Sequence, residues 1–461
     1  MPNFDDPQNR IEIPLTYDLL RRFVRNGLRL TFDEPQPGAD HGEMNIIILR
    51  GAKPVSGFRG NPPRNRQEVQ DQLNWASQQN DQPIIRLANN IHDQYNDVTI
   101  WAWQDTDMVS HVRAFLGSAD PGERAFADLR AGGRQQLVGY IGAGEHKAIW
   151  AWKETAGTFY ECLDIYSPDR GRGEGAWGFR RWDPDDPNSQ VQWDFITGAY
   201  IHAGGSPPNP VGGWSEGCIL ISGSFIRIQN GRSLVLGNLY QELMGSYAFN
   251  PNTLGLRQTR EGIIERIEGP AHVLLNPNRP QGVPPQYDLD RDLPQNDPRR
   301  RTKRRYAANE NVEINVIVWD AWALHQFRQR LLFGRNFNPV IPLGAHDPPG
   351  LGDRGWVRTM QRSLNAIIDS HILLPENWNS IVSILPDAHP PRAITADGRF
   401  GPGTLRELRA CQQICADLLD RGFLRVDEDV NINELRWECD QWLCGPETWK
   451  LLNSNTFDVA H

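Results

Sequence analysis

No stretch of this chain stays apolar for the roughly 20 residues that a bilayer-spanning helix needs, so no membrane span is expected. The opening residues Met1-Pro2-Asn3-Phe4-Asp5-Asp6 carry neither a basic nor an apolar segment, and no secretory signal is expected. There is no Cys-x-x-Cys pair and no His-rich spacing, so nothing reads as a zinc site and no metal or cofactor is expected. Positive charge is in deficit. Against 57 Asp and Glu stand 48 Lys and Arg, and the net charge of −9 argues against a nucleic-acid partner.

What is present suffices for a folded protein. The 461 residues exceed one ordinary domain, and about two to three are expected. A hydrophobic content of 39% with 16 Trp and 17 Phe supplies real cores rather than a disordered chain. Of the six cysteines, Cys411, Cys415, Cys439 and Cys444 crowd the C-terminal end. Cys411 and Cys415 lie one helical turn apart. They either pack as thiols in a core or bridge outward to Cys439 or Cys444.

The sharpest local pattern is Tyr200-Ile201-His202, then a Gly/Pro-rich run, then Trp214-Ser215-Glu216-Gly217-Cys218-Ile219-Leu220. A cysteine attacks carbonyls as its thiolate and needs an imidazole to take its proton. The Gly, Pro and Asn residues from Ala203 to Gly213 suit a return connection between two strands. Ile201 would end one strand and Ile219-Leu220-Ile221 continue the next, bringing His202 to Cys218. The Ser-Glu-Gly turn would aim the N–H groups of Gly217 and Cys218 at one point, as an oxyanion hole requires.

These residues resemble the signature of the L,D-transpeptidase cysteine enzymes of peptidoglycan, and more closely their divergent relatives in phages and contractile injection systems. The resemblance maps His202 to the general base, Cys218 to the nucleophile and Ser215 to the motif serine, a turn or orienting residue. Glu216 replaces the second family histidine, and Leu220 stands where many members carry Asn or Arg. Cross-linking, exchange and hydrolysis all stay open on that account. In those relatives the upstream strands and loops wall the site. The resemblance therefore implies that Arg170 and Arg172, with Arg180 and Arg181 behind them, face stem-peptide carboxylates, alongside Trp214 and Glu216 at the motif. It extends loosely from Leu15 to Ser224 and includes the turn Ala119-Asp120-Pro121-Gly122.

Along the chain, Leu19, Leu20, Phe23, Val24 and Leu28 predict an amphipathic helix within residues 14–30. Asn45–Leu49, Asp97–Trp103, Ala148–Trp152, Phe159–Tyr166 and Val312–Trp319 read as strands, the second and third sharing an Ile-Trp-Ala-Trp core. The last of these should return to the catalytic sheet. Residues 57–82 read as polar loop and helix, and a helix is expected near 234–243. The Pro/Arg-rich excursion 276–305 includes Arg299-Arg300-Arg301-Thr302-Lys303-Arg304-Arg305, read as a basic solvent-facing linker. A boundary is expected between residues 336 and 352.

Beyond it, Asp397-Gly398-Arg399-Phe400-Gly401-Pro402-Gly403-Thr404 resembles the hallmark of the small three-helix peptidoglycan-binding module. Gly445-Pro446-Glu447-Thr448 repeats its helix start. Asp-Gly makes a tight turn, Phe400 plugs a core and Thr404 caps a helix. The expected organisation is α+β and multidomain. A helical segment at 1–44 precedes a mostly β, L,D-transpeptidase-like catalytic domain at 45–335, and a helical peptidoglycan-binding-like domain follows at 353–455. Together the resemblances imply a cysteine enzyme acting on peptidoglycan stem peptides. It would reach the wall by release, by non-classical export or on a phage-tail or injection particle. The rival expectation is an inactive structural subunit of such a particle.

Overall fold

The structure, a computed structural model, describes residues 4–34, 43–55, 82–222 and 313–459, apart from short interruptions, and strand pieces at 227–228, 234–235 and 304–306. Trp214, Arg172, residues 57–81, residues 236–243 and most of the 276–305 excursion lie outside the described residues, and Leu234–Val235, where a helix was expected to begin, form a strand.

In chain order the strands are β1 (Glu12–Pro14), β2 (Glu43–Arg50), β3 (Ala52–Pro54), β4 (Ile84–Leu87), β5 (Asp97–Gln104) and β6 (Ser110–Ser118). Next come β7 (Val138–Ile141), β8 (Gly144–Thr155), β9 (Thr158–Tyr166), β10 (Ala176–Arg181), β11 (Val191–Ile196), β12 (Tyr200–Ala203) and β13 (Ile219–Ile221). After the short β14 (Arg227–Ile228), β15 (Leu234–Val235) and β16 (Arg304–Tyr306), β17 (Ile314–Asp320) completes the set used below. The helices are α1 (Tyr17–Arg22), α2 (Glu123–Arg130), α3 (Ala321–Phe333), α4 (Trp356–Ile368), α5 (Pro375–Ile384), α6 (Pro402–Asp420), α7 (Ile432–Asp440) and α8 (Pro446–Asn453).

Eight strands run in the order β9-β12-β13-β6-β5-β2-β17-β8, and the β8–β9 pairing closes them into a barrel. The fold is α+β. Two neighbouring pairs, β12–β13 and β2–β17, are parallel, and the other barrel pairs are antiparallel. The two Ile-Trp-Ala-Trp segments sit in β5 and β8 of this one barrel, and β17 returns between β2 and β8.

Alternation explains why these strands read as nearly continuous apolar runs. Ile47, Leu49, Val98, Ile100, Ile317 and Trp319 point outward into one core shared with the helices. Their neighbours Ile46, Ile48, Trp101, Ile201, Ile219, Val316 and Val318 are fully buried on the opposite face and fill the interior, as a barrel of this size allows. A smaller antiparallel sheet, β11-β10-β7, lies beside the barrel.

The opening helix forms within residues 14–30, and Thr16 caps it, its hydroxyl accepting from Leu19 N at 3.1 Å. At Phe23 it loosens into a π-helical turn, Phe23–Leu28, closed by left-handed Arg29. All six cysteines are free and buried, which decides the disulfide question for Cys411, Cys415, Cys439 and Cys444 in favour of thiols. Burial pushes the Cys439 and Cys444 thiols up, and Cys415 is raised first by its hydrogen bond with Cys411 and then by burial.

In the C-terminal region the described residues form helices α4 to α8, and α6 and α8 open at the two Gly-Pro-x-Thr starts. The helices also share one continuous buried cluster with the barrel and the N-terminal segment. Three indoles tie the parts together. Trp319 donates to Val340 O, Trp356 to Gly27 O and Trp449 to Pro339 O, each at 2.7–2.9 Å. The two Gly-Pro-x-Thr starts are built alike, since Gln361 donates to Thr404 Oγ1 at 3.0 Å and Gln412 to Thr448 Oγ1 at 2.7 Å.

Candidate active site

His202 lies in β12 and Cys218 at the mouth of β13, where the parallel register pairs Ile201 with Ile219 and His202 with Leu220. Strands joined in parallel need a crossover rather than a hairpin. The chain between Gly204 and Cys218 is that crossover, which corrects the return-turn expectation. Partners in register point the same way, so Tyr200, His202, Cys218 and Leu220 share one face. With strands about 4.8 Å apart and a rise of about 3.3 Å per residue, His202 and Cys218 sit diagonally, roughly 8 Å between Cα atoms. Diagonal neighbours at that separation are within reach of an aromatic side chain such as an imidazole.

The same face carries residues the sequence did not single out. Asp164 of β9 is opposite Tyr200, and Ser118 of β6 is opposite Leu220. Cys162, two residues from Asp164, joins Tyr200 and Cys218 in one buried cluster. Both Asp164 and Ser118 are 1% exposed. No local period distinguishes such a buried acid from a solvent-facing one. Only the strand order aligns it with the histidine.

The crossover is stapled at several points. Gly212 N donates to Asp93 Oδ1 at 2.6 Å and Val211 N to Asp93 O at 3.1 Å. Tyr95 Oη donates to Gly204 O at 2.9 Å, and burial, with Asp93 beside it, raises that hydroxyl's pKa and keeps it a donor. Gly122 N donates to Ser215 O at 2.9 Å. Gly122 ends the Ala119–Gly122 turn, which Asp97 Oδ2 anchors by accepting from Ala119 N at 2.6 Å. A Cβ on Gly122 would stand 1.9 Å from Gly212 O, so glycine is required for this approach.

Ser215 is fully buried, and its Oγ donates to Cys218 O at 2.7 Å while accepting from Gly217 N at 3.2 Å. It is a turn-holding residue. Gly217 has φ +132°, and a Cβ there would meet Gly139 O at 2.8 Å. Its N–H is committed to Ser215, so the oxyanion-donor role expected of Gly217 requires that this bond first open. The Cys218 Sγ donates to Gly198 O at 3.8 Å. Cys218 is 6% exposed and His202 3%, so a substrate reaches them only by displacing what covers them.

The expected substrate-binding residues separate. Glu216 is exposed beside the motif. Arg170 is exposed on the loop after β9, its guanidinium 3.8 Å over the Phe195 ring. Arg180 is spent on Asp194 Oδ2 at 2.5 Å and Leu137 O at 3.2 Å. Arg181 lies 3.8 Å over Trp442 and donates to Asp186 O at 3.1 Å. Arg180 thus bonds within the small sheet, whereas Arg181 also reaches the C-terminal region at Trp442.

Among the described residues, no group of three or more His, Cys, Asp or Glu is arranged to hold a metal ion. Among them, too, no helix is long and apolar enough to cross a membrane. No protein family, curated protein or solved structure matches this chain.

Proposed function

We propose that this chain is a peptidoglycan-modifying cysteine enzyme of the L,D-transpeptidase, carboxypeptidase or endopeptidase kind, carried to the wall on a phage-tail or contractile injection particle. The observation that carries this reading is the shared face of β12 and β13, on which His202 and Cys218 stand diagonally at a barrel rim. His202 takes the Cys218 proton, and the thiolate adds to the carbonyl before a D-amino acid. The tetrahedral oxyanion collapses, the C–N bond breaks and the leaving amine takes the proton back from the imidazolium. The thioester then passes its acyl group to water, giving hydrolysis, or to an amine, giving transpeptidation. Cys218 N–H, and Gly217 N–H once released from Ser215, are the donors available to the oxyanion. The C-terminal Gly-Pro-x-Thr helices support a glycan-binding role beside this site.

Purified protein and its Cys218→Ala variant, incubated with muropeptides and followed by mass spectrometry, test the proposal. Stem-peptide products that need Cys218 support it, and their absence removes it. The second reading is a structural subunit that retains the fold without chemistry. The low exposure of His202 and Cys218 and the engaged Gly217 N–H favour it.

A further inference from the structure

The small sheet carries an aromatic platform between the cysteine and the C-terminal helices. Trp177 of β10 and Trp193 of β11 stack with ring centroids 5.5 Å apart, and Phe195 is the cross-strand partner of Trp177. The indole N–H of Trp177 donates to Asp169 Oδ2 at 3.1 Å, and its main-chain N–H donates to Ser167 Oγ at 2.7 Å, so the ring is held from two sides.

Two arginines from distant parts of the chain converge on this platform. Arg170 lies 3.8 Å over Phe195 and 5.9 Å from the Trp177 centroid. Arg399, from the Asp397–Thr404 motif, lies 4.4 Å over Trp177. Both residues are exposed, and among the described residues neither guanidinium makes an ion pair with a carboxylate. Arg399 is fixed by its main chain, whose carbonyl accepts from Gln361 at 3.1 Å and whose N–H donates to Asp397 Oδ1 at 2.9 Å. Two carboxylates also lie at this platform, Asp169 on the Trp177 indole N–H and Asp397 on the Arg399 main-chain N–H. Stacking uses a guanidinium's face and leaves its in-plane N–H donors directed outward. Two such forks on one rigid platform suit a planar, charged acceptor.

The platform is close to the sulfur. Phe195 precedes by three residues Gly198, whose carbonyl accepts from Cys218 Sγ at 3.8 Å. The chain turns at Thr197 and Gly198, so Phe195 lies within about 10 Å of Gly198, a separation that three residues of a bound peptide span.

We propose that Arg170 and Arg399, stacked on Phe195 and Trp177, form a binding site for a carboxylate of a peptide substrate. The identity of the ligand as a peptide rests on the cysteine-enzyme reading, whereas the preference for a carboxylate does not. The site joins the barrel to the C-terminal helices, and the Arg399 of the module-like motif becomes a specificity residue rather than a fold-building one.

The test uses the full chain bearing Cys218→Ala and isothermal titration with an N-acetylated tripeptide ending in D-alanine, as its free acid and as its C-terminal amide. The acid should bind at least about tenfold more tightly than the amide, the effect of one charged hydrogen bond. Arg170→Gln and Arg399→Gln should each bring the acid to the affinity of the amide, and Arg399→Lys should fall between. An unchanged far-ultraviolet circular dichroism spectrum shows that the variants fold. Equal affinity of acid and amide, binding of neither, or indifference to the arginine variants overturns the proposal. The two readings fail separately. Cys218-dependent turnover by the unsubstituted chain without an acid preference sinks only the carboxylate site, and arginine-dependent binding without turnover sinks only the enzyme.

Discussion

Replacing Ser215 with alanine removes the one side-chain oxygen that ties the cysteine turn together. Ser215 Oγ serves Cys218 O at 2.7 Å and Gly217 N at 3.2 Å from a fully buried position. Alanine fills nearly the same space, so little cavity forms, but it leaves one buried acceptor and one buried donor unsatisfied. Each such group costs about 1–3 kcal/mol, and the longer bond belongs at the lower end. The sum is about 2–4 kcal/mol, enough to lower the melting temperature by several degrees. Because the bond to Cys218 O sets how the cysteine enters β13, its alkylation rate should change as well. Thermal melts and iodoacetamide labelling of Cys218, read by mass spectrometry, measure both. A melting temperature within about one degree of the unsubstituted chain, with Cys218 labelling unchanged, refutes the account of how this turn is held.

Asp164→Asn should slow iodoacetamide labelling of Cys218 severalfold at neutral pH, since Asp164 is a buried carboxylate on the face that carries His202 and Cys218. An unchanged labelling rate would mean that Asp164 has another role. Burial lowers the pKa of His146 to about 3, with His346 the next cause, so its folded value lies below the unfolded value of 6.5. The unfolded state then takes up the proton first, and stability is lost as pH falls below about 6.5. Relative to the unsubstituted chain, His146→Phe should therefore gain about 2 kcal/mol between pH 7.5 and pH 5 in urea titrations, and a pH-independent difference would contradict this. Gly122→Ala forces a Cβ to within 1.9 Å of the Gly212 carbonyl, a main-chain atom with no rotamer to give. It should cost about 1–3 kcal/mol and expose the 209–215 loop to limited proteolysis, whereas wild-type-like digestion would show that the loop does not depend on this approach.

Much of the local structure was legible because it follows from short-range chemistry. Alternation in Asp97–Trp103 and the apolar run before Trp319 specified β5 and β17 without reference to any partner. The Ala119–Gly122 turn and the paired Gly-Pro-x-Thr helix starts each carry their geometry in adjacent residues. The pairing of β12 with β13 was also accessible, since two strands joined by one loop are neighbours more often than not.

What no local pattern contained is the closure of the sheet. A period of two says which residues share a face, but not which strand lies alongside or in which direction it runs. The parallel pairing of β12 with β13, and with it the diagonal of His202 and Cys218, was decided by barrel closure through β8 and β9. That closure also set Asp164 beside Tyr200. Arginines alike in sequence parted for the same reason. Arg180 and Arg181 met Asp194 and Trp442, whereas Arg170 met Phe195 and Trp177, and Arg399 reaches that same Trp177 from more than two hundred residues away. Side-chain character is a property of the residue, but the neighbour that gives it a task is chosen by long-range packing.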